Sequence, residues 1–402
     1  MTAANSDGHS EILRSLRSLR MTKRQPNPDR AGLGETMKPV YISATQQDSG
    51  KTTVIVGLLQ ALRDLGHDVG YIKPVGQRYV KFEGVNVDED AVLVRQAFGL
   101  DDPPADMSPV AVERGITEQY IFNRNPKPLE DRITAAFGRL SSTHDAMVIE
   151  GTGHAGVGSC FDMSNARVAQ LLGAQVLIVT EGGIGRTLDE ITLSYHLFQK
   201  FGVNVLGVIL NKVRADKLSK VERAVSKGLA HLGTRLLGVV PYRVQLVNPR
   251  MDQVAAEING RVLCGADAIT NIVEHTVVAA MEPEHVCTYI RENTLVVTPG
   301  DRIDNILVSI VECPMELDAS RRVSGLVLTG GFRPPASILS LLEKAGIPVV
   351  LCNEDTYSVA SLLREMRFKI RAEDADKIEA AKHLIRENVN IAALVAALSD
   401  KR

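Results

Sequence analysis

The stretch that most constrains this chain is Val40-Tyr41-Ile42-Ser43-Ala44-Thr45-Gln46-Gln47-Asp48-Ser49-Gly50-Lys51-Thr52-Thr53. An apolar run rich in β-branched and aromatic residues gives way to small and polar residues, then to Gly-Lys-Thr, then to an amphipathic segment from Val54 to Leu65. The pattern predicts strand, loop, helix. A phosphate chain asks of such a loop inward-facing backbone N–H groups, a helix N-terminus behind it, a mobile cation and a hydroxyl for Mg²⁺. Gly50, Lys51 and Thr52 supply those parts, and Thr45, Gln46, Gln47, Asp48, Ser49 and Thr53 complete the candidate nucleotide cradle. A standard P-loop has glycine where this chain has Thr45, so on these residues alone an ordinary βα turn with a lysine at the helix start is the alternative.

A chain of 402 residues exceeds one typical core, which predicts two domains plus an extension. With 46 basic against 48 acidic residues, the near balance argues against a nucleic-acid partner. No segment approaches the roughly 20 uninterrupted apolar residues of a membrane span. Cys160, Cys264, Cys287, Cys313 and Cys352 are odd in number and never paired as Cys-x-x-Cys, so neither a disulfide framework nor a zinc cluster is expected. Buried thiols in a cytoplasmic protein are the expectation.

Residues 1–36 are polar and carry Arg14, Arg17, Arg20, Lys23 and Arg24 together with Pro26, Pro28 and Gly32, as a flexible leader would. Ile12, Leu13, Leu16 and Leu19 offer one short apolar face, but Met37 directly precedes the first strand and marks an alternative start. From 37 to 243, β-rich runs at 40–43, 69–72, 147–150, 176–180, 205–210 and 236–240 alternate with helical stretches. The fold class is therefore α/β: a P-loop NTPase-type, mostly parallel sheet with helices on both faces. A second, smaller α/β domain follows over 244–363, with strands near 295–298, 323–328 and 348–351, and a helical extension over 364–402. The tail's apolar face, Ile378, Ala381, Leu384 and Ile385, is expected to pack on the second domain or on a symmetry mate.

Ligands of such sheets sit beyond the carboxyl ends of the strands, so the residues just past each strand matter most. Lys73, in Lys73-Pro74-Val75, suits a substrate carboxylate or a transferred phosphoryl group, or is a solvated lysine in a proline turn. In Val87-Asp88-Glu89-Asp90-Ala91 the acids complement a helix dipole, or one joins a Mg²⁺ shell, with Asp90 preferred over Asp88. Glu150 ends a strand beside a loop carrying Gly151, Gly153, Gly156 and Gly158, which suits a metal contact. Glu181-Gly182-Gly183 is a turn or a closing loop. Asn211 is placed to meet a nucleobase edge or to cap a helix.

In this order the signals resemble dethiobiotin synthetase and its relatives, among them the amino-terminal domain of long phosphotransacetylases and the P-loop half of cobyrinic acid a,c-diamide synthase. Ala44-Thr45-Gln46-Gln47-Asp48-Ser49-Gly50-Lys51-Thr52 falls on that family's Gly-Thr-Asp-Thr-x-x-Gly-Lys-Thr, Lys73-Pro74-Val75 on its Lys-Pro-Val, and Glu150-Gly151-Thr152-Gly153 on its Glu-Gly-Ala-Gly. The resemblance implies ATP as cofactor, Lys51 on its phosphates, Thr52, Asp90 and Glu150 around Mg²⁺, Lys73 beside the reacting group, Asn211 on the adenine and a homodimer. Gly76-Gln77-Arg78 and His154 depart from the biotin enzyme, which speaks against a diaminopelargonate site.

Thr298-Pro299-Gly300-Asp301-Arg302 followed by Gly325-Leu326-Val327-Leu328-Thr329-Gly330-Gly331 resembles the DRTGG domain, which long phosphotransacetylases place directly after such a P-loop domain. The acetyltransferase part of those enzymes has no counterpart here, so that activity is not expected of this chain by itself. Nor does Val350-Leu351-Cys352-Asn353 or Leu263-Cys264-Gly265 resemble a glutaminase nucleophile turn. Thr329-Gly330-Gly331, with Arg302 and Arg333 nearby, is expected to offer backbone donors to an anionic effector such as a nucleotide; a glycine turn with structural arginines is the alternative. Two functions follow: a nucleotide-dependent regulator or ligase-like ATPase of unknown acceptor, or an enzyme that activates a small carboxylate or carbamate with ATP.

Overall fold

Strands that are apolar on both faces belong inside a sheet covered by helices on both sides, and the six β-rich runs of the first domain do form such a sheet. The computed structural model describes residues 37–113, 115–304, 306–307, 323–366 and 369–399; the leader, its short apolar face and Cys313 lie outside them. In hydrogen-bonding order the strands are Leu236–Pro241, Val205–Val213, Gln175–Glu181, Val40–Ala44, Ala146–His154 and Val69–Ile72. Every pairing is parallel. Side chains alternate between two cores. Val40, Ile42, Val148, Leu177 and Ile209 face one, while Tyr41, Ile149, Ile178, Val208 and Leu210 face the other.

Between Val69–Ile72 and Ala146–His154 the chain inserts an antiparallel hairpin (Tyr79–Phe82 with Val85–Asp88), the helix Glu89–Phe98 and the helix Lys127–Ser141. Asp88 caps the helix Glu89–Phe98, its carboxylate accepting from the Asp90 amide at 3.0 Å. The second domain has its own sheet, in the order Arg261–Cys264, Val349–Leu351, Val323–Thr329, Thr294–Pro299 and His275–Val278. Its first strand pairs antiparallel and the rest parallel, with an apolar core on each face.

The tail corrects one expectation. Its apolar face is the predicted one, but it covers the first domain. Ile378, Ala381, Leu384 and Ile385 of the helix Ala375–Asn388 join Val54, Ile55 and Leu58 of the P-loop helix Lys51–Asp64 in one core. That helix is buried at Val54, Ile55, Val56, Gly57, Leu58, Leu59, Ala61 and Leu62, nearly all round, so one layer of sheet cannot cover it. Gly57 permits the close approach, since a Cβ there would lie 2.3 Å from that of Ile385. The last helix, Ile391–Ser399, returns to the first strand, where the Lys38 amide donates to the Leu398 carbonyl at 3.0 Å.

The thiols are corrected as well. Cys352 is buried, Cys264 and Cys287 are half-buried and Cys160 is exposed; all four are free. Among the described residues no helix is long and apolar enough to cross a membrane.

Candidate functional site

Parallel strands bring the loops that follow them to one edge, and the P-loop lies at the centre of that edge. Gly50 sits at φ 86°, and a Cβ on it would lie 2.0 Å from the Asn211 amide nitrogen, so both conformation and space require glycine here. The residue that caps the helix beginning at Lys51 is Gly50, which has no side chain to bond the first amides, and this leaves the N-terminal end for an anion to approach. Two neighbours brace the loop from the strand Val205–Val213. Asn211 Nδ2 donates to the Ser49 carbonyl at 2.9 Å, and Lys212 Nζ donates to the Asp48 carbonyl at 2.5 Å while pairing with Glu181 at 2.8 Å. Inside the loop, Ser49 Oγ donates to the Gln46 carbonyl at 3.1 Å. Thr45, in the place of the standard glycine, is buried and shares a hydrogen bond of 2.8 Å with Thr180, and Gln46 Nε2 donates to Glu190 at 2.5 Å.

Beside the loop is a buried cluster of acids and lysines. Lys73 Nζ donates to Asp88 Oδ1 at 2.7 Å and to Asp90 Oδ2, and lies 3.9 Å from Glu150 Oε1. Glu150 accepts from the Tyr71 hydroxyl at 2.6 Å. Burial, and then the charge of Asp90, push the Glu150 carboxyl up to about 7 against the pull of Lys73. Burial would raise Asp90 too, but the Lys73 and Lys369 ammonium groups hold it well below the usual carboxylate range. Burial lowers Lys51, with Glu150 opposing. For Lys73 the three carboxylates outweigh burial and raise it.

Gln47, Asp48, Gly50, Lys51, Thr52 and Thr53 share one cleft of about 580 Å³ with Lys73, Asp88, Asp90, Glu150 and Asn211. Its opposite wall comes from the second domain, through Val273, Glu274, Thr276 and Leu363, and from the segment that follows, through Met366, Lys369 and Ile370. The structure thus brings together Lys51, Thr52, Lys73, Asp90, Glu150 and Asn211, while the side chains of Thr45 and Gln46 turn to Thr180 and Glu190. A hydroxyl and carboxylates are hard oxygen donors and suit Mg²⁺. Among the described residues no three His, Cys, Asp or Glu side chains are arranged to hold a metal by themselves, so Thr52, Glu150 and Asp90 would need phosphate oxygens to complete a shell.

Residues 38–250 match the family described as the AAA domain. The chain belongs to that family. Residues 253–366 match the DRTGG domain. The phosphate acetyltransferase of Nitratidesulfovibrio vulgaris is 26% identical over 373 residues, covering 90% of this chain and 52% of that protein. That of Pseudomonas putida is 29% identical over 375 residues, covering 89% of this chain and 51% of that protein. The chain spans about half the length of the curated relatives it matches. Among solved structures, the septum site-determining protein MinD of Pyrococcus horikoshii, complexed with Mg-ADP, is 19% identical with a TM-score of 0.34 over 52% of this chain and 83% of that one.

The DRTGG domain's own signature corrects the expectation of an anion nest. The Gly330 amide donates to the Glu354 carbonyl at 2.8 Å and the Gly331 amide to the Cys352 carbonyl at 2.9 Å. Thr329 Oγ1 bonds Thr356 Oγ1 at 2.7 Å. The turn stitches the ends of neighbouring strands together, and its donors are engaged. At the AAA domain's site the sequence ranks Asp88 below Asp90 and does not point to Tyr71 or Lys369. Asp88 was readable as an acid at a helix start, whereas nothing around Lys369-Ile370-Arg371 signals a residue that reaches Asp90.

Proposed function

We propose that this AAA domain binds ATP with Mg²⁺ and that the chain is a nucleotide-dependent regulator, passing the state of the cleft to its DRTGG domain. The observation that carries this reading is that a single cleft is walled by the P-loop on one side and by Val273, Glu274 and Thr276 of the second domain on the other. Lys51 would meet the phosphates, Thr52 and Glu150, with Asp90, would hold the ion, and Asn211 would lie by the base while positioning the loop. An ion there neutralises phosphate charge. A homodimer with a cytoplasmic location fits the same reading.

A second reading is favoured by Lys73, Gln77 and Arg78, which line the cleft beside Glu150. A small carboxylate or carbamate held there would attack the γ-phosphorus, ADP would leave, and an amine would displace phosphate from the acyl phosphate. Calorimetric titration of ATP, with and without Mg²⁺, into the wild type and Lys51→Ala tests both, with phosphate release followed in parallel. Mg²⁺-dependent binding that is lost in the variant and yields no phosphate supports the regulator. Phosphate release stimulated by a small acid together with an amine supports the ligase, and absence of binding overturns both.

A further inference from the structure

We propose that Lys369 is a counter-ion supplied by the chain itself, competing with a divalent cation for the Asp90 carboxylate and so setting the metal affinity of the nucleotide cleft. The inference rests on the reading that a divalent ion binds among Thr52, Asp90 and Glu150.

Asp90 holds two ammonium groups. Lys73 Nζ bonds Oδ2, and Lys369 Nζ reaches Oδ2 at 3.0 Å and Oδ1 at 3.2 Å. Their surroundings differ. Lys73 is also bonded to Asp88 and close to Glu150, with a side chain only 6% exposed, so it has no route out of the cluster. Lys369 is 28% exposed, and its other partner is Glu89 at 2.9 Å, itself 37% exposed. Lys369 can therefore leave Asp90 while keeping a partner at the solvent edge. A divalent ion coordinates carboxylate oxygen at about 2.1 Å, and an ammonium on the same oxygens opposes it by charge and by space. Of the other lysines of the cleft, Lys51 lies at the P-loop end, where burial and then Glu150 act on it, and Lys212 is held by the Asp48 carbonyl and Glu181.

Lys369 follows the last helix of the DRTGG domain, Thr356–Glu365, and precedes the tail helix Ala375–Asn388 that packs on the P-loop helix. Metal entry at Asp90 thus releases a contact made by the segment that leaves the second domain. The Mg²⁺ requirement and the position of that segment become two sides of one competition.

The test is Mn²⁺ binding, read by electron paramagnetic resonance with ADP present, in the wild type, Lys369→Ala, Lys369→Gln, Lys369→Arg and Asp90→Asn. Removing the ammonium is expected to tighten Mn²⁺ binding about tenfold, a difference of about 1.4 kcal/mol. Lys369→Arg is expected to return it to the wild-type value, because charge and not packing is the cause. Adding Lys369→Ala to Asp90→Asn is expected to change nothing further. Equal Mn²⁺ affinity in wild type, Lys369→Ala and Lys369→Gln, with Mn²⁺ and ADP still bound, would overturn the counter-ion role and leave nucleotide binding standing. Failure of every variant to retain Mn²⁺ with ADP would instead overturn the site itself, and the inference with it.

Discussion

At the carboxyl edge of the AAA domain's sheet, the turn after the first strand runs past Lys51, Lys73, Asp90 and Glu150 into a cleft. At the same edge of the DRTGG domain's sheet, the turn Thr329-Gly330-Gly331 folds its amides onto Cys352 and Glu354. Both turns follow an apolar parallel strand and both contain glycine. What separates them is where the neighbouring donors and charges go. In the first, two side chains from the next strand but one, Asn211 and Lys212, hold carbonyls of the loop and thereby fix its shape from behind. In the second, the backbone itself is the partner. A glycine turn becomes a site when something other than its own N–H groups holds it in place.

The largest effect that bears on this contrast is expected from its support. Ile385 is fully buried against Gly57 on the P-loop helix, and among the described residues no tail helix joins the two cores of the DRTGG domain's sheet. Ile385→Ala should lower stability by about 2–5 kcal/mol, measured by urea unfolding. Loss of the AAA domain's transition ahead of the DRTGG domain's would confirm that the tail belongs to the first; a change confined to the second would break the comparison. Next comes the charge. Lys51→Ala should weaken ATP about 100-fold, as expected for a charge-assisted phosphate contact, whereas Arg302→Ala and Arg333→Ala should leave the calorimetric affinity within about twofold. A comparable loss at Arg302 would make the second edge a nucleotide site after all.

The smallest effect concerns the opposite edge of the first sheet. His144 lies 3.2 Å from Asp68 and 3.1 Å from Asp102. Burial lowers its pKa, but the hydrogen bond and charge of Asp102, with Asp68 added, outweigh burial and raise it. A histidine raised on folding adds stability that is fully present below its ordinary pKa and is lost as pH rises through the folded one. The wild type should therefore lose part of its unfolding midpoint across that window, and His144→Gln should flatten the loss without moving ATP affinity. A shift in affinity at this distance would mean that the two edges are not independent.

The strands and the P-loop were legible because their signals are local: alternation or continuous apolarity in the strand, and Gly-Lys-Thr at the helix start. Lys51, Thr52, Lys73, Asp90 and Glu150 were legible because each follows a strand or opens a helix, and parallel topology brings such positions together. The tail's apolar face was readable from its spacing, but its partner was not. The hint lay in the P-loop helix, whose Val54-Ile55-Val56-Gly57-Leu58-Leu59 run is too apolar for one covered face. The Thr-Gly-Gly turn left two readings open, because glycine reports the conformation of a turn and says nothing of whether its amides are already engaged. Lys369 was invisible because its meaning comes from Asp90, 279 positions away, and from the adjoining Glu89.

The tail has a consequence for biosynthesis. Gly57 and Ile385 touch, yet the whole second domain is translated between them. At usual elongation rates the P-loop helix waits some tens of seconds on the ribosome before its outer face can be covered. During that interval the outer face of the P-loop helix lacks the cover that Ile378, Ala381, Leu384 and Ile385 later give it. It is the DRTGG domain, later in sequence, that can finish its own core first.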